Sequence, residues 1–187
     1  AAMVARGDLG VEMPPEEVPI IQKRLVDACR NHGKPIVVAT QMLDSMVNSP
    51  SPTRAEASDV ATAVFDSVDC VMLSAETASG KFPIESVKIM DRIIRGVEND
   101  FSYRQLLESK KIKLEETTSD AISSAASQVV KTVLAKAIFT YTRSGGTAKR
   151  AARERPTVPI IGLSPERLTA RQLALILSLI HISEPTR

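Results

Sequence analysis

Short apolar runs without polar alternation punctuate the first hundred residues. Ala1 to Ala5, Pro35 to Thr40 and Cys70 to Ser74 are rich in Val, Ile and Met, the composition of a strand covered on both faces. Each run is followed by a stretch at helical spacing: Val18, Ile21, Leu25 and Ala28, then Ala55 to Val64, then Val87 to Ile94. Strand and helix in alternation predict parallel βαβ units. Gly33 is placed to close the first long helix. Thr53-Arg54-Ala55-Glu56, after the loop Asn48 to Pro52, has the form of a capping box.

From Phe101 to Ser119 the pattern turns polar and loses strand-like runs, which sets a domain boundary. Residues 1–101 read as one α/β domain, 102–117 as a linker and 118–175 as a second α/β domain. In the second, Ile122, Ala125, Ala126, Val129 and Val133 mark an amphipathic helix. Ala137 to Thr142 and Pro159 to Ser164 read as strands, with helices predicted over Gly145 to Arg155 and Glu166 to Leu175. Residues 176–187, ILSLIHISEPTR, change abruptly from apolar to polar with no cap or turn signal, and read as a tail foreign to the fold.

A chain of 187 residues and 20.2 kDa has room for one substantial core or two small ones. Hydrophobic residues at 43% and charged residues at 25% exclude a disordered chain. A net charge of +2 leaves no electrostatic footprint for nucleic acid or an anionic membrane. No apolar run approaches the ~20 residues that span a bilayer, and the start lacks the form of a signal peptide. The cytoplasm is the expected compartment. Cys29 and Cys70 lack any CxxC or Cys/His spacing and are expected to be buried, reduced thiols. His32 and His181 are isolated and receive no role.

Ligands of parallel α/β proteins gather at the C-terminal ends of strands, which draws attention to the polar residues ending the three runs. Gly7 and Asp8 open a helical turn whose amides suit a carboxylate or phosphate, and Asp8 could hold a hard divalent cation or simply cap a helix. Thr40 ends an apolar strand, where its hydroxyl serves either catalysis or the cap of a helix from Met42. Ser74 and Glu76 occupy the equivalent place after the third run, Glu76 being either a solvated loop residue or part of a proton path. In the second domain, Thr142, Ser144, Gly145, Gly146 and Thr147 form either a phosphate cradle at a helix N-terminus or an ordinary glycine turn; the P-loop spacing is absent.

The segments MVARGDLG, GKPIVVATQML, PTRAEASDVA and DCVMLSAETASGKFP, in this order, resemble successive signature segments of pyruvate kinase. TRSGGTAKRAARERPTVPIIGLSPERLTARQLAL resembles that family's C-terminal domain, so the resemblance covers residues 1–175. It implies a partial (β/α)8 TIM barrel, about its last three βα units, followed by a partial α/β C-terminal domain. The implied activity is phosphoryl transfer from phosphoenolpyruvate to ADP in glycolysis, with magnesium or manganese and, in many members, potassium. Asp8 matches the metal-binding aspartate; the backbone at Ala5, Gly7 and Asp8 matches the cradle for the substrate carboxylate. Thr40 matches a threonine that contacts substrate and is implicated in protonating the enolate, and Ser74 and Glu76 match its proton-relay network. Arg54 matches an arginine at a subunit interface, the complete enzyme being expected as a homotetramer. Thr142 through Thr147 match the segment that binds the phosphate of a sugar-phosphate or nucleotide effector.

The family's Lys-Ile-Glu motif, which supplies a lysine and a second metal ligand, does not occur in these residues. The isolated chain is therefore expected to be inactive. The string from Ile176 resembles translated sequencing-adapter read-through joined to a truncated frame. Two readings follow: a segment of a pyruvate kinase, or a short non-catalytic protein that associates with full-length subunits through Arg54 and its helix.

Overall fold

The structure, a computed structural model, describes residues 1–110, 112 and 115–183, the last three by their backbone alone. It forms two compact units, Ala1–Cys29 with Ile36–Lys111, and Arg30–Pro35 with Ile112–Arg187.

The apolar runs of the first unit become β1 (Ala2–Ala5), β2 (Ile36–Ala39) and β3 (Cys70–Met72). They form one parallel sheet in the order β1-β2-β3, with Val4 opposite Val38 and Val38 opposite Val71. Between β1 and β2 lie α1 (Arg6–Glu12) and α2 (Val18–Asn31). Between β2 and β3 come a 3-10 turn (Asp44–Val47) and α3 (Arg54–Phe65). After β3 follow α4 (Ala75–Ala78), α5 (Pro83–Glu98) and α6 (Phe101–Ser109). This is the alternation that the final units of a (β/α)8 barrel require.

Central β2 is the driest strand, with Ile36, Val38 and Ala39 essentially inaccessible. Around it Val4, Val26, Met42, Met46, Val60 and Met90 close the core. β1 departs from the expected burial on both faces: it has one neighbour in the sheet, and Met3 is 56% exposed. The polar stretch read as a linker over 102–117 holds α6, begun by the Asp100 carboxylate accepting from Ser102 N at 2.8 Å. Tyr103 anchors α6 by packing edge-on against Phe65, with ring centroids 5.8 Å apart and planes at 81°.

The second unit runs α7 (Thr118–Val133), β4 (Ile138–Tyr141), α8 (Gly146–Arg153), β5 (Ile160–Ser164), α9 (Arg167–Leu173) and β6 (Leu179–Ser183). Its sheet is again parallel, in the order β4-β5-β6. Ala148, Ala151, Ala152, Ile160, Leu173 and Leu179 make its core. The Asp120 carboxylate of α7, fully buried, joins α8 by accepting from Arg153 Nη2 at 2.6 Å and pairing with Arg150 Nε at 3.3 Å. Those arginines, Arg153 foremost, hold the Asp120 carboxyl below its ordinary pKa.

β6 lies where the sequence shows no turn signal. The chain reaches it through Ser178 in a left-handed conformation (φ 64°), and Leu179 then pairs beside Ile160. An apolar string of Leu and Ile residues suits a strand whatever its origin.

Candidate functional site

Three successive strand ends of the first unit carry the predicted chemistry. At the end of β1, Ala5 sits at the N-cap position of α1 in extended conformation and has no side-chain cap. Gly7 and Asp8 fall within the first turn of α1, so Asp8 is not the cap. Its exposed carboxylate makes no hydrogen bond or ion pair among the described residues.

At the end of β2, Thr40 and Gln41 both take left-handed backbone, φ 69° and 53°. Such conformations are costly for residues with a Cβ and persist only where neighbours impose them. The Thr40 hydroxyl donates to Ala39 O at 2.6 Å and accepts from Gly7 N at 2.8 Å, joining the ends of β1 and β2. It caps no helix from Met42: the short 3-10 turn beyond it begins after Leu43 without a side-chain cap. A Cβ at Gly7 would meet the Thr40 Oγ1 at 3.4 Å, an ordinary contact distance, so the approach does not by itself require a glycine.

Glu76 is 2% exposed, which removes the solvated-loop alternative. Its carboxylate accepts from Ser74 N at 2.7 Å and Leu43 N at 3.1 Å, tying the end of β3 to the segment that follows β2. Ser74 stands at the N-cap position of α4 without a side-chain cap bond.

Sequence reasoning missed Arg6 and Asp59. The Arg6 guanidinium donates to the carbonyl oxygens of Thr40 and Gln41 at 2.9 and 2.7 Å, and to the Asp59 carboxylate at 2.5 Å. Its only sequence signal is a cation between an apolar strand and a glycine. Arg54, the first residue of α3, is exposed.

The capping box before it is present: Glu56 N donates to Thr53 Oγ1 at 3.2 Å, and Thr53 N to the Glu56 carboxylate at 2.7 Å. Glu56 also accepts from Ser45 N at 2.7 Å. Burial works to raise the Glu56 pKa, but the hydrogen bonds from Ser45 and Thr53 outweigh it and leave the pKa lowered.

Among the described residues no three His, Cys, Asp or Glu side chains gather as a metal cage. A lone exposed carboxylate fits magnesium, which takes one or two carboxylates and fills its shell with water and substrate oxygens. Cys29 and Cys70 are thiols outside any disulfide and are half-buried rather than fully buried; burial first, then the Asp69 charge, pushes the Cys29 thiol up. No described helix is long and apolar enough to cross a membrane.

In the second unit, Thr142 is buried after β4 and accepts at Oγ1 from Gly145 N at 2.9 Å. Gly145 is left-handed, φ 85°, at the N-cap of α8, and an added Cβ there would come within 3.2 Å of Leu173. Its amide is thus committed to Thr142. Ser144 and Thr147 are exposed on either side, and Gly146 opens the helix.

The sequence profile of the pyruvate kinase barrel domain matches residues 1–87, and that of the pyruvate kinase alpha/beta domain matches residues 120–185. The chain belongs to the pyruvate kinase family. This pyruvate kinase segment is 53% identical over 186 residues to a pyruvate kinase of Agrobacterium vitis, covering 100% of the chain and 39% of that protein. It is 54% identical over 173 residues to one of Methylorubrum extorquens, covering 92% of the chain and 36% of the relative. A crystal structure of a pyruvate kinase from Cryptosporidium parvum superposes with a TM-score of 0.91 at 41% identity, over 97% of this chain and 37% of that one. The pyruvate kinase segment therefore spans less than two fifths of these relatives, taking in the end of the barrel domain and the start of the alpha/beta domain.

Proposed function

We propose that this segment contributes part of the active site of an enzyme that transfers the phosphoryl group of phosphoenolpyruvate to ADP, giving pyruvate and ATP in glycolysis. The observation that carries this reading is the 2.8 Å bond from Gly7 N to Thr40 Oγ1, which joins two strand ends beside the unpaired Asp8 carboxylate. Phosphoryl transfer asks a protein chiefly for positioning and charge stabilisation.

In this reading Asp8 holds magnesium or manganese, which neutralises charge on the reacting oxygens when bound; potassium is a second expected ion. The backbone around Ala5, Gly7 and Asp8 receives the substrate carboxylate, with the Gly7 amide committed to Thr40 Oγ1 and shaping the cradle. Thr40 faces the carbon that gains a proton. Glu76, buried against Ser74 N, keeps the neighbouring turn in shape, and Ser74 and Glu76 extend the proton path. Arg54, exposed at the start of α3, meets a second subunit in a cytoplasmic homotetramer. Ser144, Gly146 and Thr147, with Thr142 and Gly145 shaping their turn, take the phosphate of a sugar-phosphate or nucleotide effector.

Asp8→Ala in a complete enzyme carrying this segment is expected to abolish metal-dependent turnover. Near-normal turnover at saturating phosphoenolpyruvate would defeat the assignment. The 187-residue chain alone is expected to be inactive. For residues 176–187 the proposal is an origin outside the kinase frame, although the alpha/beta-domain profile matches as far as residue 185 and Leu179 joins the core; nucleotide sequence across codons 173 to 180 tests it. The exposure of Arg54 keeps a second reading open, a non-catalytic chain that binds full-length subunits; co-elution with a complete kinase and altered activity would favour it.

A further inference from the structure

We propose that Arg6 is a positioning residue for Thr40, acting through the two backbone carbonyls that follow β2; the inference rests on the substrate-facing role proposed for Thr40. Thr40 and Gln41 are consecutive non-glycine residues with φ of 69° and 53°. One such residue is uncommon, and two in succession need an outside hold.

Arg6 supplies that hold. Its Nη2 donates to Thr40 O at 2.9 Å and Gln41 O at 2.7 Å, and its Nε lies 3.3 Å from Thr40 O. Nη1 points the other way, to Asp59 Oδ2 at 2.5 Å. The Arg6 side chain is only 10% exposed, against 39% for Asp59. A planar fork can hold two carbonyls on one edge while a carboxylate fixes the other; an ammonium is a point charge on a flexible stem and cannot.

The consequence lies at the Thr40 hydroxyl. With the backbone turned left-handed, Oγ1 both donates to Ala39 O and accepts from Gly7 N, so its direction at the strand ends is set from two sides. Were the carbonyls released, residues 40 and 41 would relax toward ordinary backbone and carry the hydroxyl away from Gly7. In this account Arg6 touches no reacting atom and acts on the reaction only through Thr40.

The test compares Arg6→Lys, Arg6→Ala and the double variant Arg6→Ala/Gln41→Gly. Hydrogen exchange is read in the 187-residue chain, and turnover in a complete enzyme carrying the segment. Arg6→Lys is expected to speed exchange of the Gly7 amide about tenfold while the β2 amides keep their protection. It should lower kcat by about tenfold or more, with KM for phosphoenolpyruvate within about threefold. Gln41→Gly should return most of the Gly7 protection to Arg6→Ala, because glycine takes positive φ freely.

Unchanged Gly7 exchange in Arg6→Lys overturns the proposal. So does an equal rise at Gly7 and in β2, which would make Arg6 a general staple. Thr40→Val with near-parent turnover would instead remove the role given to Thr40; the proposal would then fall on its catalytic side, while the exchange data still reported the grip on the carbonyls.

Discussion

A methyl group added at Gly80 would stand 2.5 Å from the Glu76 carbonyl oxygen and 3.1 Å from its carbon. The obstacle is backbone, and it cannot swing aside: the Glu76 side chain is fixed by Leu43 N and Ser74 N, and Gly80 N itself donates to Ala75 O at 2.7 Å. Gly80→Ala is therefore expected to cost on the order of 2 kcal/mol, as overpacking against a rigid neighbour does. In a chain of this size that lowers Tm by about 5 °C in a thermal melt. Gly10→Ala is the control, since nothing stands within 4 Å of its added Cβ on α1. There the outcome should be neutral or slightly stabilising, because alanine favours helix. Equal losses at both positions would mean that the turn around Glu76 yields. The same turn shows why Glu76 could not be read from sequence. A glutamate between Ala75 and Thr77 gives no sign that two amides 33 and two residues away will take its carboxylate.

At the scale of elements, α3 carries the clearest local device. Its capping box does more than start the helix, because the Glu56 carboxylate also gathers Ser45 N and Ser45 Oγ from the 3-10 turn. Those bonds favour the ionised form and lower the folded pKa below the ordinary 4.5. The stabilisation is thus complete above about 4.5 and is lost as pH falls through the lowered folded value. Glu56→Gln should be less stable than the parent by about 1 kcal/mol at neutral pH, and the gap should close on acidification below that ordinary value. Urea midpoints measured at several pH values check this; a gap that stays constant to the end of the acid limb would show that ionisation is not what Glu56 contributes.

The box was legible because cap chemistry is written within four residues, and β1 to β3 because apolar runs need no partner to be seen. α6 was not legible: its buried Tyr103 stands alone in a polar stretch, and only Phe65 on another helix makes it an anchor. Arg6 and Asp59 meet across 53 positions, a pairing no local pattern encodes. Nor does the sequence announce the turn at Thr40 and Gln41, where left-handed backbone falls on two residues that rarely take it.

At the scale of the molecule, each unit leaves apolar surface uncovered. In the first, Met3 on β1, Ile20 on α2, and Ile84 and Val87 on α5 are all more than half exposed. In the second, Ile122, Val129 and Val133 recur at helical spacing along α7, while Phe139 and Tyr141 share one face of edge strand β4 at 67% and 70% exposure. Contiguous apolar faces and open strand edges drive association in water. The proposed remainder of a kinase, more than half of each compared relative, supplies the surfaces such faces would pack against. The chain on its own is accordingly expected to self-associate with rising concentration between about 1 and 100 µM, the range in which exposed cores commonly aggregate. Sedimentation velocity across that range is the measurement. Val129→Glu with Val133→Lys should weaken the association without lowering Tm, since both side chains already stand more than half in solvent. A chain that stayed monomeric at the upper limit would mean that these faces are covered within the 187 residues, and would take away the structural reason for expecting the segment to need the rest of a kinase.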